Sequence, residues 1–238
     1  MNNPMFEPRA QPFSAAQVAE ENAAFMRKVY AFMAAGLGVT AVTSMLVASS
    51  ETALQIIVGN RLVFYGLLFG ELAMVWTFSA LARKMSAVGA GALFFSYALL
   101  NGVTFAIIFL LYTRSSIAST FAVTAGTFGA MSGYGYVTKK DLSGWGSFLI
   151  MGLFGVVIAS VVNLFLGSPM IYWMTTVFGV LVFVGLAAYD TQKIKNLNII
   201  GNAGTDEDHK EAIHGALVLY LDFINLFLLL FRVLGRRR

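Results

Sequence analysis

Seven apolar stretches, each about as long as a membrane-crossing helix, leave this chain little choice of fold. They run roughly over 29–49, 62–81, 87–112, 117–137, 145–166, 171–189 and 213–234. About 20 residues of helix span the hydrocarbon core of a bilayer. Lipid offers no partner to a backbone N–H or C=O, so each stretch must close its own hydrogen bonds as a helix. Composition agrees. Hydrophobic residues are 58% of the 238 and charged residues only 12%, against about 25% in soluble domains. Mean hydropathy is +0.75. The chain is therefore read as an all-α polytopic membrane protein with seven transmembrane helices, joined by short loops that make neighbours antiparallel.

Several chemistries are excluded. With no cysteine there are no disulfides, zinc-thiolate sites or thiol nucleophiles. The net charge of +4 comes from Lys and Arg scattered over short loops, which points to membrane topology rather than nucleic acid. The opening "MNNPMFEPRAQPFSAAQVAEENAAF" has acids and prolines and lacks the apolar core of a signal peptide. Residues 1–26 are read as an aqueous tail ending in some helical structure, and 27–238 as the membrane domain.

Basic residues set orientation. Arg9, Arg27, Lys28, Arg83, Lys84, Lys139, Lys140, Lys193, Lys195 and Lys210 fall on one side when loops are numbered alternately. Arg61 and Arg114 fall on the other. The first side is expected to be cytoplasmic, with the N-terminus inside. The tail "RVLGRRR" conflicts, because a full seventh crossing leaves its arginines outside. The length of the last stretch favours that crossing. Thr205 is positioned to cap the last helix, with Asp206, Glu207 and Asp208 in its first turn, where acids suit the helix dipole. Gly66 and Gly70, and Gly126, Gly129 and Gly133, have the spacing of helix-packing glycines.

The informative residues are acids inside apolar runs. Glu71 lies near the middle of the second stretch, Asp222 near the middle of the seventh, and Asp190 at the inner end of the sixth. A carboxylate at mid-membrane costs about 2.5–3.5 kcal/mol on insertion scales, and such groups usually serve ion or proton paths. Asp222 is about nine residues, or roughly 13 Å, into its helix. It meets Asp190 if Asp190 lies within the membrane boundary or the last helix begins below it. Two close carboxylates would share a proton and titrate as a unit. Plainer roles stay open: Asp190 bonded to Thr191 or Gln192 or paired with Lys193, and a protonated Glu71 on a backbone carbonyl. Asn225 and His214 share a polar stripe with Asp222 by helical spacing, though His214 also suits an interfacial role. The run "TDEDHKE" is a solvated cap or a cation-gathering mouth.

"GLAAYDTQKIKNL" (185–197) and "ALVLYLDFINLFLLLFRVLG" (216–235) resemble the two signature segments of the Bax inhibitor-1 family, also called the transmembrane Bax inhibitor motif family. "FMRKVYAFMAAGLGVTA" and "KKDLSGWGSFLIMGLFGVVIASVVNLFLGS" resemble its first span and its fifth-span region. The resemblance implies seven helices with the C-terminal one central and six wrapped around it. It implies a pH-sensitive calcium leak, with Asp190 and Asp222 as a proton-sharing sensor, Arg83 as a latch on that pair, and Glu71 on the path. A bacterial inner-membrane member is implied. No cofactor is expected. Partners would be lipid, protons and permeant Ca²⁺, with Asp190, Asp222 and Glu71 as transient calcium ligands and Asn225 along the path.

Other functions compete. A non-conducting regulatory or interaction protein is one, and a Ca²⁺/H⁺ exchanger is a variant of the leak. An intramembrane aspartyl protease would use the same two acids with a water between them. However, "LYL" precedes Asp222 where such enzymes resemble Gly-x-Gly-Asp, and no Pro-Ala-Leu follows. A non-enzyme is expected.

Overall fold

The computed structural model describes residues 13–81 and 84–236. They form eight helices: α1 (Ala15–Ala48), α2 (Glu51–Gly59), α3 (Arg61–Leu81), α4 (Ala87–Leu111), α5 (Arg114–Val137), α6 (Ser143–Leu166), α7 (Pro169–Leu197) and α8 (Asp206–Leu234). Each of the seven apolar stretches lies in one of the long helices. The addition is α2, too short to span lipid and capped by Ser50.

Local chemistry sets the boundaries. Ser14 and Gln17 form a reciprocal capping box at the start of α1, so residues 15–26, read as tail, are its first three or so turns. Gly167 ends α6 in the left-handed region (φ 59°), and Ser168 with Pro169 at the first position starts α7. Thr205 caps α8 as expected, accepting from Asp208 N at 3.2 Å.

Six helices are long and apolar enough to cross a membrane: α1, α3, α4, α6, α7 and α8. α5 has 24 residues, but Ser115, Ser116, Ser119, Thr120, Thr124, Thr127 and Ser132 dilute its hydropathy.

Burial ranks the helices. Fifteen of the 29 residues of α8 are buried, on every side of the helix, whereas α6 buries only Gly146 and Leu149 and α3 only Phe78. α8 is the core. α1 and α4 pack on it and on each other, and α5 and α7 do the same; α3 leans on α4 and α6 on α7. Thus four helices line most of α8 rather than six. The outer two turn large side chains outward, such as Tyr65, Phe69 and Trp76 on α3 and Phe148, Phe154 and Phe165 on α6. Lipid tails are as apolar as those side chains, so nothing drives them inward.

The two ends of α8 lie at opposite ends of the bundle. At its start, Lys28 pairs with the buried Asp208, Ala87 N donates to Asp206 at 3.0 Å, and Asn198 donates to Asn22 at 2.9 Å. At its finish, Thr113 N donates to Arg236 O at 3.3 Å, and Arg232 lies 5.3 Å from the ring centre of Tyr172. The last stretch therefore passes through the whole bundle. Its opening acids are tied down: Asp208 and Asp206 pin α8 to α1 and α4, and Glu207 pairs with Lys210 at 2.5 Å.

Of the glycines singled out by spacing only Gly70 packs, its Cβ position 3.4 Å from Leu100 of α4. A Cβ at Gly66, Gly126, Gly129 or Gly133 would meet nothing within 4 Å. Close approach occurs at Gly102, where a Cβ would lie 2.6 Å from Thr43 and 2.8 Å from the Thr40 carbonyl, and at Gly135, which abuts the Ala188 backbone. Spacing finds the face of a helix but does not say whether lipid or protein covers it.

Candidate functional site

Asp222 sits deep in the core helix, 6% exposed. Across the α7–α8 contact lies Asp190, near enough for the two carboxyls to act on each other through charge. Asp222 Oδ2 is enclosed, and no N–H or O–H among the described residues donates to it. Two acceptor-only groups gain nothing from such contact unless one carries a proton.

The approach depends on where α8 begins, well below the end of α7, so that Gly215 packs on Ile194 one turn from Asp190. α7 continues through "TQKIKNL" to Leu197, which puts Asp190 about two turns inside the helix rather than at its foot. α8 starts at Asp206, so Asp222 is about 24 Å along it. Lys193, a turn beyond Asp190, is exposed and acts on it through charge. Its ammonium rests 5.7 Å from the ring centre of Tyr189.

A chain of hydroxyls lies beside the pair. Tyr30 of α1 is 2.6 Å from Ser132 of α5, which is 2.7 Å from Thr191 of α7. Thr191 in turn donates to Ala187 O at 2.7 Å. This chain links three helices next to Asp190. It was not singled out in the sequence, where isolated Ser, Thr and Tyr in apolar runs look ordinary. Gln192 is also committed: its amide holds Lys140 O and Leu142 N, both at 2.8 Å, and so ties the α5–α6 loop to α7.

Glu71 belongs elsewhere. It is half-buried on α3 and accepts from Thr104 of α4 at 2.6 Å, near enough to Tyr97 and Tyr220 to act on both phenols through charge. Tyr220 is 2.7 Å from Thr40 of α1. Tyr220 and Asp222 are two residues apart, hence on opposite faces of α8. The core helix so carries one polar cluster toward α1, α3 and α4 and another toward α5 and α7. The calcium ligand set of Asp190, Asp222 and Glu71 is not assembled. Among the described residues no three Asp, Glu or His side chains converge as a metal site.

The polar stripe along α8 also divides. Asn225 donates to Leu221 O of its own helix at 2.8 Å, and His214 stacks on Phe78 of α3 with ring centres 5.8 Å apart. Helical spacing groups residues that differ by up to about 80° in direction, and here separate neighbours claim them. Arg83, the expected latch, lies outside the described residues.

A bundle of long apolar helices around one buried helix, holding a carboxyl pair, defines a polytopic helical membrane protein. The family model described as "Inhibitor of apoptosis-promoting Bax1" matches residues 22–238, and the chain belongs to the Bax inhibitor-1 family. It is 50% identical over 215 residues to inner membrane protein YbhL of Escherichia coli strain K12, covering 90% of this chain and 92% of that one. An uncharacterized protein of Borreliella burgdorferi is 42% identical over 90% of this chain and 92% of its own. An uncharacterized membrane protein of Streptococcus pyogenes serotype M3 is 39% identical over 89% and 92%.

Proposed function

We propose that this protein is a pH-gated, calcium-permeable leak channel of a bacterial inner membrane, with seven crossings and a cytoplasmic N-terminus. What supports the reading is a buried Asp222 on the core helix with Asp190 near enough across the α7–α8 contact to act on it through charge. One proton between them relieves their repulsion, and its loss leaves two negative charges in a poorly solvated site. That change biases α7 against α8. The similarity to an inner membrane protein supports the location, and the length of α5 supports a seventh crossing.

In this reading Arg83 closes the path by binding the ionised pair. Protonation weakens that attraction, so leak rises as pH falls. Glu71, on the opposite face of α8, attracts cations at a separate point on the path, and calcium touches carboxylates one at a time rather than in a cage. Oxygen ligands suit Ca²⁺, and loose ligation suits conduction over storage.

The test is calcium entry into dye-loaded vesicles across a pH series, for the wild type and for Asp190→Asn with Asp222→Asn. The expected result is a leak that rises on acidification in the wild type and is flat with pH in the double variant. An unaltered pH profile in that variant would sink the sensor. Absence of flux at every pH would favour a non-conducting regulator, and proton efflux in fixed ratio to calcium would identify an exchanger.

A further inference from the structure

A groove of about 1150 Å³ runs along the lipid-facing side between α6 and α7, larger than the ~300–1,000 Å³ of most small-molecule pockets. Its lining extends along α6 from Trp145 to Val162, about 25 Å at helical rise. That is most of the ~30 Å hydrocarbon thickness. One glycine of α6 leaves the wall open: a Cβ at Gly155 would meet nothing within 4 Å, whereas one at Gly152 would crowd Val182 of α7 at 3.0 Å, at the floor of the groove. α5 and α6 both pack on α7, and α5 bounds only one end of the groove.

That end is chemically different from the rest. It is lined by Tyr134, Lys140, Asp141, Trp145 and Tyr189, aromatic and basic side chains of the kind found where headgroups begin. Lys139 adjoins Lys140 in the sequence, and Lys193 sits over Tyr189. Asp141 opposes these three lysines. Its carboxylate is engaged by Ser143, whose backbone N donates to it at 2.8 Å, and those bonds hold it below the usual carboxylate range. The mouth keeps a net positive charge. It lies at the end of the bundle that holds the start of α8, because Gln192 of α7 grips Lys140 O.

We infer that this groove seats one acyl chain of an anionic phospholipid, with its phosphate at Lys139 and Lys140. Basic pockets between membrane helices on the cytoplasmic side hold such headgroups. An apolar channel open to the bilayer is filled by the apolar material around it, and the charged mouth selects which lipid stays. The inference is independent of ion conduction, and its test does not use flux.

Native mass spectrometry of the full chain in detergent, titrated with phosphatidylglycerol or phosphatidylcholine of matched chains, tests it. One phosphatidylglycerol adduct should form first and survive activation that strips phosphatidylcholine. Lys139→Gln with Lys140→Gln should weaken that adduct about thirtyfold, from two lysines at an anionic headgroup. Gly155→Leu, which projects into open space, should remove the activation-resistant phosphatidylglycerol adduct. Equal retention of both lipids by the wild type would overturn the proposal, as would an adduct unchanged in both variants. A dimer that takes up no lipid and dissociates on Gly155→Leu would place a second copy of the chain in the groove and overturn it as well.

Discussion

No donor among the described residues reaches Asp222 Oδ2, and this makes Asp190 and Asp222 separable from the fold by experiment. A lone carboxylate in mid-membrane costs about 2.5–3.5 kcal/mol, so Asp222→Asn removes a burden while keeping shape and polarity. The thermal midpoint of the purified protein should stay the same or rise, while the pH response of the leak disappears. A large drop in midpoint would mean that the pair holds the bundle together. The neighbouring hydroxyls behave in the opposite way. Ser132→Ala strips the half-buried Tyr30 hydroxyl of its hydrogen bond to Ser132, and a buried polar group left unsatisfied costs about 1–3 kcal/mol. Thr191 keeps its bond to Ala187 O, so the loss should fall at the low end of that range. Tyr30→Phe, which removes the orphan as well, should cost less than Ser132→Ala, and paired melting curves would rank them. Asp190 and Asp222 were legible because ionisable groups are so rare in these stretches. The hydroxyl chain was not, because no single Ser, Thr or Tyr in a helix carries a signal until three helices are placed side by side.

At the scale of elements, helices were readable and their contacts were not. Apolar length located α1 and α3 through α8 to within a few residues at most ends, since lipid and helix share one requirement. It failed where helix outruns lipid. Residues 15–26 and 190–197 are helical and polar, and the second of these extensions is what carries Asp190 inside α7. Glycine spacing marked Gly126, Gly129 and Gly133 on α5, while the α5–α7 contact is made at Gly135, against the Ala188 backbone. Backbone cannot yield as a flexible side chain can. Gly135→Ala should therefore cost about 1–3 kcal/mol or more, the penalty of overpacking. Gly102→Ala should behave alike, against the Thr40 carbonyl of α1. Gly129→Ala should be neutral or slightly stabilising, because alanine is the better helix former. If melting curves show Gly129→Ala as damaging as Gly135→Ala, then α5 has a neighbour on its outer face that the isolated chain lacks.

On the whole-molecule scale, the path of α8 conflicts with the simplest charge rule, and the conflict can be measured. Its start is anchored among Lys28, Ala87 and the end of α7, the face that collects most of the lysines. Its finish, with Arg232 and Arg236, is anchored at Thr113, Ser116 and Tyr172 on the other face. The positive-inside rule weighs early loops heavily and can be outvoted at the C-terminus by a helix whose apolar length demands a full crossing. Burial adds a second reason: the buried residues of α8 continue from Asp208 to Phe231, so a helix that turned back midway would leave α1, α4, α5 and α7 packed around nothing. The chain has no cysteine, which makes each introduced thiol a unique reporter. Ala203→Cys in the α7–α8 loop and Arg236→Cys beyond α8 are both at exposed positions. In intact right-side-out cells an impermeant maleimide should label Arg236→Cys and spare Ala203→Cys, and permeabilised cells should label both. Labelling of both thiols, or of neither, from the same side of an intact membrane would require α8 to re-enter, and the single central crossing with its buried carboxyl pair would have to be abandoned.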